Sequence, residues 1–158
     1  MRRLLALVAG ASLALAAIGV AEHAMSAAPK DQYDIFSPDS STIVDEQTRL
    51  EWRRETTADV DFNSAEAACA QDAGPGFRLP TLRELLTLVD EQPHRIYVDA
   101  QELNRQIDPN AFPDTRIDEG YWSSTPAING HFTVNFRNGT TDTGGANDKR
   151  HARCVRSF

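Results

Sequence analysis

The sequence predicts an α+β domain: a β-hairpin, two helices, a long irregular segment and a β-meander, in that order. Three observations carry this. Short alternating apolar/polar runs sit at both ends of the domain, at 41–52 and at 120–156. Two helix starts with a capping residue followed three positions on by Glu lie between them, at Asn63/Glu66 and Thr81/Glu84. Asn138-Gly139, a turn pair that tolerates positive φ at both positions, splits the last third into strands.

The elements follow from local chemistry. Residues 41–44 read as a strand and 49–52 alternate as a second, and the polar 45–48 stretch between them closes a first hairpin. Asn63 with Glu66 is read as a capping box opening an Ala-rich helix that holds Cys69, and Gly74 suits its C′ stop. Thr81 with Glu84, after Pro80, opens the second helix. Its Leu82, Leu85, Leu86 and Val89 fall at i, i+3, i+4 and i+7, an apolar stripe for the core. Residues 91–118 lack a period, carry Pro93, Pro109 and Pro113, and are expected to be irregular, with a short helical turn at 98–105. Ile107 and Phe112 are their expected anchors. Strands are expected at 120–125, 131–136 and 140–143, then a polar loop at 144–151 and a terminal strand at 152–156.

The start of the chain reads differently. Arg2 and Arg3 precede an apolar run over 4–20, and small residues crowd 21–28. That is the order of a secretory signal, expected at 1–28, with cleavage after Ala21 or Ser26. An uncleaved anchor is the competing reading, at the short edge of a membrane span. Residues 29–40 are expected to be a flexible lead-in, and 41–158 the domain. Export implies an oxidising compartment, where the two cysteines, Cys69 and Cys154, are expected to pair. The net charge is −7. An acidic chain argues against nucleic acid as a partner, since phosphate backbones need a basic face, and against docking on anionic lipid. No membrane span is expected after signal cleavage.

Several blocks taken together carry a resemblance. They are Leu50-Glu51-Trp52, Ala65-Glu66-Ala67-Ala68-Cys69, Phe77-Arg78-Leu79-Pro80-Thr81 with Glu84-Leu85, Ile107-Asp108 with Ala111-Phe112-Pro113, Tyr121-Trp122-Ser123-Ser124-Thr125 and Arg153-Cys154-Val155-Arg156. In this order and spacing the chain resembles the Lcl C-terminal-domain-like family of bacterial exported domains, long listed as of unknown function. Phe77 stands where that family often has Trp. The resemblance implies a C-type lectin-like, sulfatase-modifying-factor-like fold: two helices packed on a small twisted antiparallel sheet with long irregular loops. It also implies a disulfide joining the first helix to the last strand, where Cys69 and Cys154 stand.

Candidate sites are few. Trp122 is a candidate sugar platform and Ser123 and Ser124 candidate nucleophiles; the competing reading buries Trp122 and spends the hydroxyls on backbone. No Gly-x-Ser-x-Gly elbow surrounds the serines. Arg78 and Glu84 read as a ligand pair or as a structural tie at the helix entry, and Arg153 and Arg156 as ion-pair partners or anion readers. Asn147, Asp148 and Arg150 form a polar loop before the last cysteine. C-type lectins use an Asn-Asp pair there for calcium, so Asp142, Asn147 and Asp148 are candidate ligands, with Asp108, Asp114, Asp118 and Glu119 nearby in sequence. The lectin triplet is absent, Ala146 replaces the usual Trp, and the competing reading is a solvated turn. His94, His131 and His151 show no metal-ligand spacing. No cofactor beyond possible calcium is expected. The expected function is a non-catalytic, periplasmic or extracellular binding or adhesion module for a glycan or protein. The alternatives are a sulfatase-modifying-factor-like enzyme and a structural or assembly domain.

Overall fold

Strand β1 (Thr42–Asp45) alternates its burial, so Ile43 turns inward and Thr42 outward. It pairs antiparallel with β2 (Leu50–Arg53), placing Ile43 opposite Trp52. Asp45 closes the turn: its Oδ1 accepts from the Gln47 and Thr48 amides at 2.9 and 3.1 Å. The C-terminal strand β10 (Val155–Ser157) adds to the other side of β2, with Val155 opposite Trp52. The first and last strands of the domain are thus joined through one central strand. This computed structural model describes residues 32–34 and 40–158. The expected signal segment, 1–28, lies outside the described residues, as does much of the lead-in. The described part of that lead-in is not loose. Tyr33 bridges to Asp45, buries its ring edge-on to Phe112 at 5.3 Å, and is joined by Gln32, whose Nε2 donates to Asp45 at 2.9 Å.

A strand the sequence reading lacked, β3 (Thr57–Val60), follows. Its residues are half-exposed or exposed, so no apolar alternation marks it. Helix α1 (Phe62–Ala67) starts two residues earlier than Asn63 implies: Asp61 is the cap, and its carboxylate accepts from the Ser64 amide at 2.9 Å. The capping box expected at Asn63 and Glu66 does not form, because Asp61 already supplies the acceptor. The helix widens into a π-helical stretch, Ala68–Asp72, which holds Cys69. Gly74 then takes φ +104°, the left-handed stop expected of it.

Helix α2 (Leu82–Leu86) has the capping box read from the sequence: Thr81 Oγ1 accepts from the Glu84 amide at 3.2 Å and Glu84 Oε2 accepts from the Thr81 amide at 2.7 Å. Leu85 and Leu88 are fully buried and Leu82 and Val89 pack beside them. Leu86 is the exception. The helix stops there and leaves it exposed, so the core stripe runs through Leu88 instead.

Residues 91–118 correct the expectation most. No helical turn forms at 98–105. The chain makes a β-hairpin of β4 (His94–Val98) and β5 (Gln101–Arg105), with Ile96 opposite Leu103. Asp99 and Ala100 form its two-residue turn at φ 49° and 64°. Neither is the glycine such a turn prefers, so the turn signal is absent from the sequence. Ala100→Gly is accordingly expected to stabilise the domain by about 1 kcal/mol, read as a raised urea midpoint with unchanged slope. From 106 to 118 the chain is irregular and anchored by Ile107 and Phe112, both fully buried as expected.

The meander is β6 (Tyr121–Ala127), β7 (Gly130–Asn135) and β8 (Thr140–Gly144). The β7–β8 connection takes four residues, 136–139, rather than two: Asn135 pairs with Thr140, and only Gly139, at φ +68°, is left-handed. The expected terminal strand divides. β9 (Arg150–Ala152) joins β3 and lies parallel to β6, and Arg153-Cys154 crosses to β10 in the other sheet. The sheets therefore have orders β1-β2-β10, β3-β9-β6-β7-β8 and β4-β5. One core cluster centres on Trp52, Phe112 and Tyr121 and a second on Trp122 and the cysteines. Two short helices on a curled, mostly antiparallel sheet system make this an α+β fold of C-type lectin-like architecture.

Cys69 and Cys154 are disulfide-bonded, Cα–Cα 5.2 Å, which ties the π-helical stretch to the crossing between the two larger sheets. Ion pairs fasten the rim. Arg156 bonds Glu51 and Arg78 bonds Glu84, and these hydrogen bonds hold both carboxyls below the ordinary Glu value of 4.5. The Ser64 amide and Lys149 do the same for Asp61, and His151 for Asp118, whose ordinary value is 3.8. A carboxyl depressed on folding stabilises above its unfolded value and stops doing so as pH falls through its folded value. Stability is therefore expected to fall steadily below about pH 4.5, and Glu84→Gln to flatten that fall; urea midpoints measured across the acid range check this.

Candidate functional site

A concavity lies between α1 with its π-helical extension and the chain entering α2. It has a volume of about 560 Å³. The helix contributes Asn63, Glu66, Ala67, Ala70 and Gln71, which stand at i, i+3, i+4, i+7 and i+8, one face. The facing wall is Arg78 and Leu79, with Ser124 from β6. That wall is firmly held. Arg78 exchanges backbone hydrogen bonds with Val155 of β10 at 2.9 and 3.0 Å. The Ser124 amide donates to the Pro80 carbonyl at 2.7 Å and its hydroxyl to the same oxygen at 3.2 Å. The Arg78 guanidinium is gripped by both oxygens of Glu84, at 2.9 and 2.7 Å. That contact raises the Arg78 pKa and lowers that of Glu84.

The chemistry of the cleft is consistent along its length. Its lining mixes apolar Ala67, Ala70 and Leu79 with two carboxamides, one carboxylate, the Ser124 hydroxyl and a guanidinium whose charge Glu84 balances. Such a lining offers donors and acceptors side by side with one unbalanced charge, that of Glu66, a pattern that polyhydroxyl ligands satisfy. Ala residues on the helix face open the cleft, since larger side chains would fill it. The π-helical stretch supplies two of the lining residues, and such stretches recur at functional sites.

The sequence-selected residues fall elsewhere. Trp122 is fully buried and presents no face to a ligand. Its Nε1 donates to the Val60 carbonyl at 2.9 Å, and its ring packs on Gly144 so closely that a Cβ there would lie 2.5 Å from it. The hydroxyls beside it serve the backbone: Ser123 donates to Phe132 at 2.8 Å, and Thr125 accepts from the Leu82 amide at 2.9 Å. Asn147 and Asp148 lie on an exposed turn that Asp148 closes by accepting from the Gly145 amide at 2.9 Å. Arg150 reaches Glu119 at 3.2 Å and Asp148 at 3.8 Å, so this loop is tied to the 106–119 segment by charge.

The candidate calcium oxygens do not converge. Asp142 accepts from its neighbour's amide, Thr143, at 2.8 Å, and Asp108 closes a turn on Asn110 at 2.7 Å. Asp114 accepts from the Thr56 amide at 2.7 Å, and Asp118 meets His151 at 3.0 Å. Among the described residues no three His, Cys, Asp or Glu side chains stand together as a metal would require. His94 pairs with Asp90 at 2.8 Å, and His131 stacks on Phe62 with ring centres 3.4 Å apart.

Arg153 forms the expected ion pair, with Asp114 at 3.5 Å, but from a buried position rather than on the surface. It is fully buried over the Phe112 ring, 4.6 Å from its centre. It donates to the carbonyls of Arg53 and Arg54 and to the hydroxyls of Thr56 and Thr115. Arg156 does form the expected ion pair, with Glu51 at 2.7 Å. Sequence reasoning missed Asn63, Glu66 and Gln71 as site residues because two of them look like a capping box. The available signal was the polar row at helical spacing beside alanines.

Among the described residues no helix is long and apolar enough to cross a membrane. Comparison with the curated proteins and with the solved structures gives no match. The family model described as the Lcl C-terminal domain matches residues 41–156, from β1 into β10, and the chain belongs to that family.

Proposed function

We propose that this domain is an exported recognition module that binds a glycan of the cell envelope or its surroundings in the cleft between α1 and Arg78-Leu79, without catalysis. The cleft carries this reading: its lining sets apolar Ala67, Ala70 and Leu79 beside carboxamides, a carboxylate and a balanced guanidinium. Its walls are fixed by strand pairing and a capping box, so little order is lost on binding. Export is supported by the signal pattern at 1–28 and by the disulfide, which suits an oxidising compartment. The polar groups of the loop at Asp148 and Arg150 are engaged with each other and with Glu119, which favours the cleft over that loop. The enzyme alternative needs reactive thiols, and both sulfurs are in the buried disulfide.

Asn63, Glu66 and Gln71 are exposed, so Asn63→Ala with Gln71→Ala is expected to leave the thermal midpoint unchanged. On a glycan array the paired variant is expected to lose about tenfold in affinity, roughly 1.4 kcal/mol, for whatever the wild-type domain retains. An array on which wild type and variant bind alike would move the site off the cleft.

A further inference from the structure

Strands β4 and β5 form a sheet of their own, and among the described residues no further strand pairs with either edge. The two left-handed residues of the turn, Asp99 and Ala100, make Val98 and Gln101 a hydrogen-bonded pair. Hydrogen-bonded and non-hydrogen-bonded pairs then alternate down the hairpin. His94, Ile96 and Val98 direct their backbone groups at β5, while Arg95 and Tyr97 direct theirs outward. Side chains sort in the same way. Arg95, Tyr97 and Glu102 share a face, where the Tyr97 hydroxyl donates to Glu102 at 3.2 Å and Arg95 Nε lies 3.5 Å from the same carboxylate. Ile96 and Leu103 share the other. Tyr97 is 70% exposed and Val98 46%.

We propose that the outer edge of β4 is a docking surface for a second copy of this chain, β4 pairing antiparallel with its copy about a two-fold axis at Ile96. In that register Arg95 falls opposite the partner's Tyr97 and Tyr97 opposite the partner's Arg95. Both are the outward-facing positions, so the pairing closes a ladder of four backbone hydrogen bonds. The side chains match by charge. Each row across the joined sheets reads Glu102, Tyr97, then the partner's Arg95, so every guanidinium meets a ring with a carboxylate behind it and no like charges face one another. On the other face Ile96 meets its own copy at the short spacing of a non-hydrogen-bonded pair, and the two Leu103 side chains extend the apolar strip. A two-fold contact closes at two chains, whereas β4 against β5 of the next copy would continue into a filament. The edge is short, so the dimer forms as protein concentration rises.

Sedimentation across a concentration series tests this, with two variants. The wild-type mass is expected to climb from one chain to two and stop. Ile96→Cys is expected to oxidise to a covalent dimer several-fold faster than Ile128→Cys, placed at the fully exposed β6–β7 turn. Tyr97→Pro loses an outward amide and the hydroxyl contact to Glu102 but no backbone bond between β4 and β5, so the hairpin survives and the protein stays at one chain at every concentration. A single-chain mass throughout, equal oxidation of the two cysteine variants, a Tyr97→Pro protein that still pairs, or species larger than two would each overturn the proposal.

Discussion

Replacing Cys69 and Cys154 together by alanine is expected to lower the stability of the domain by about 4 kcal/mol. The two positions are 85 residues apart in sequence, so the bond removes much of the freedom of the unfolded chain. It also joins pieces from distant parts of the chain. Cys69 sits in the π-helical stretch, and Cys154 sits where the chain crosses from β9 to β10. Both pack in the same buried cluster as Trp122 and Leu79. A loss of that size is a large share of the ~5–15 kcal/mol that holds a typical domain together. Urea unfolding reads it directly: the double variant and the reduced wild type are expected to shift to the same lower midpoint. Two midpoints unchanged from the oxidised protein would remove the bond from the account of stability.

Arg153→Met is the second large effect, with an expected loss of about 3–5 kcal/mol. Size alone does not set this figure, since Met fills much of the same space. The cost lies in what the guanidinium leaves behind. The carbonyls of Arg53 and Arg54 and the hydroxyls of Thr56 and Thr115 lose a donor at a buried or half-buried site, and Asp114 loses its ion pair. Thr56 and Tyr121 are linked at 3.0 Å, and the Tyr121 oxygen also accepts from the Arg116 amide at 2.8 Å, so the disturbance spreads. Arg153→Lys is expected to recover less than half of the loss, because one ammonium cannot reach four acceptors arranged around a planar fork. Hydrogen exchange separates this from simple destabilisation. Amides at 111–118 are expected to lose protection before those of β6 and β7, since Arg153 ties that segment to the sheet through Phe112, Asp114 and Thr115.

Much of the fold was legible because its signals are local. The Thr81 capping box, the Gly74 stop and the β1–β2 hairpin each rest on residues within a few positions of one another. The cysteine pairing rested on compartment and count, and the structure agrees. The β4–β5 hairpin was not legible, because Asp99-Ala100 reaches a left-handed turn without glycine and its strands project with little buried alternation. β3 was missed for the same want of buried side chains, being held by pairing with β9. The lead-in looked loose because what orders Tyr33 is Phe112, far along the chain.

The site was harder still. Trp122 and the Asn147-Asp148 pair are the residue types that draw attention in a sequence, yet the first is core and the second closes a turn. Arg153 has the composition of a surface charge, and only the tertiary structure shows it buried with four acceptors around it. The cleft is assembled from a helix face, a short bridge at Arg78 and one serine of β6. No single stretch of sequence contains it.

Titration of the isotopically labelled domain with a glycan retained on the array tests the central claim most directly, by amide and side-chain NMR shifts. Saturating shifts are expected at Asn63, Glu66, Gln71, Arg78 and Ser124, with the loop at Asn147 and Asp148 unmoved. Shifts confined to that loop, or no saturable shift with any retained glycan, would contradict it.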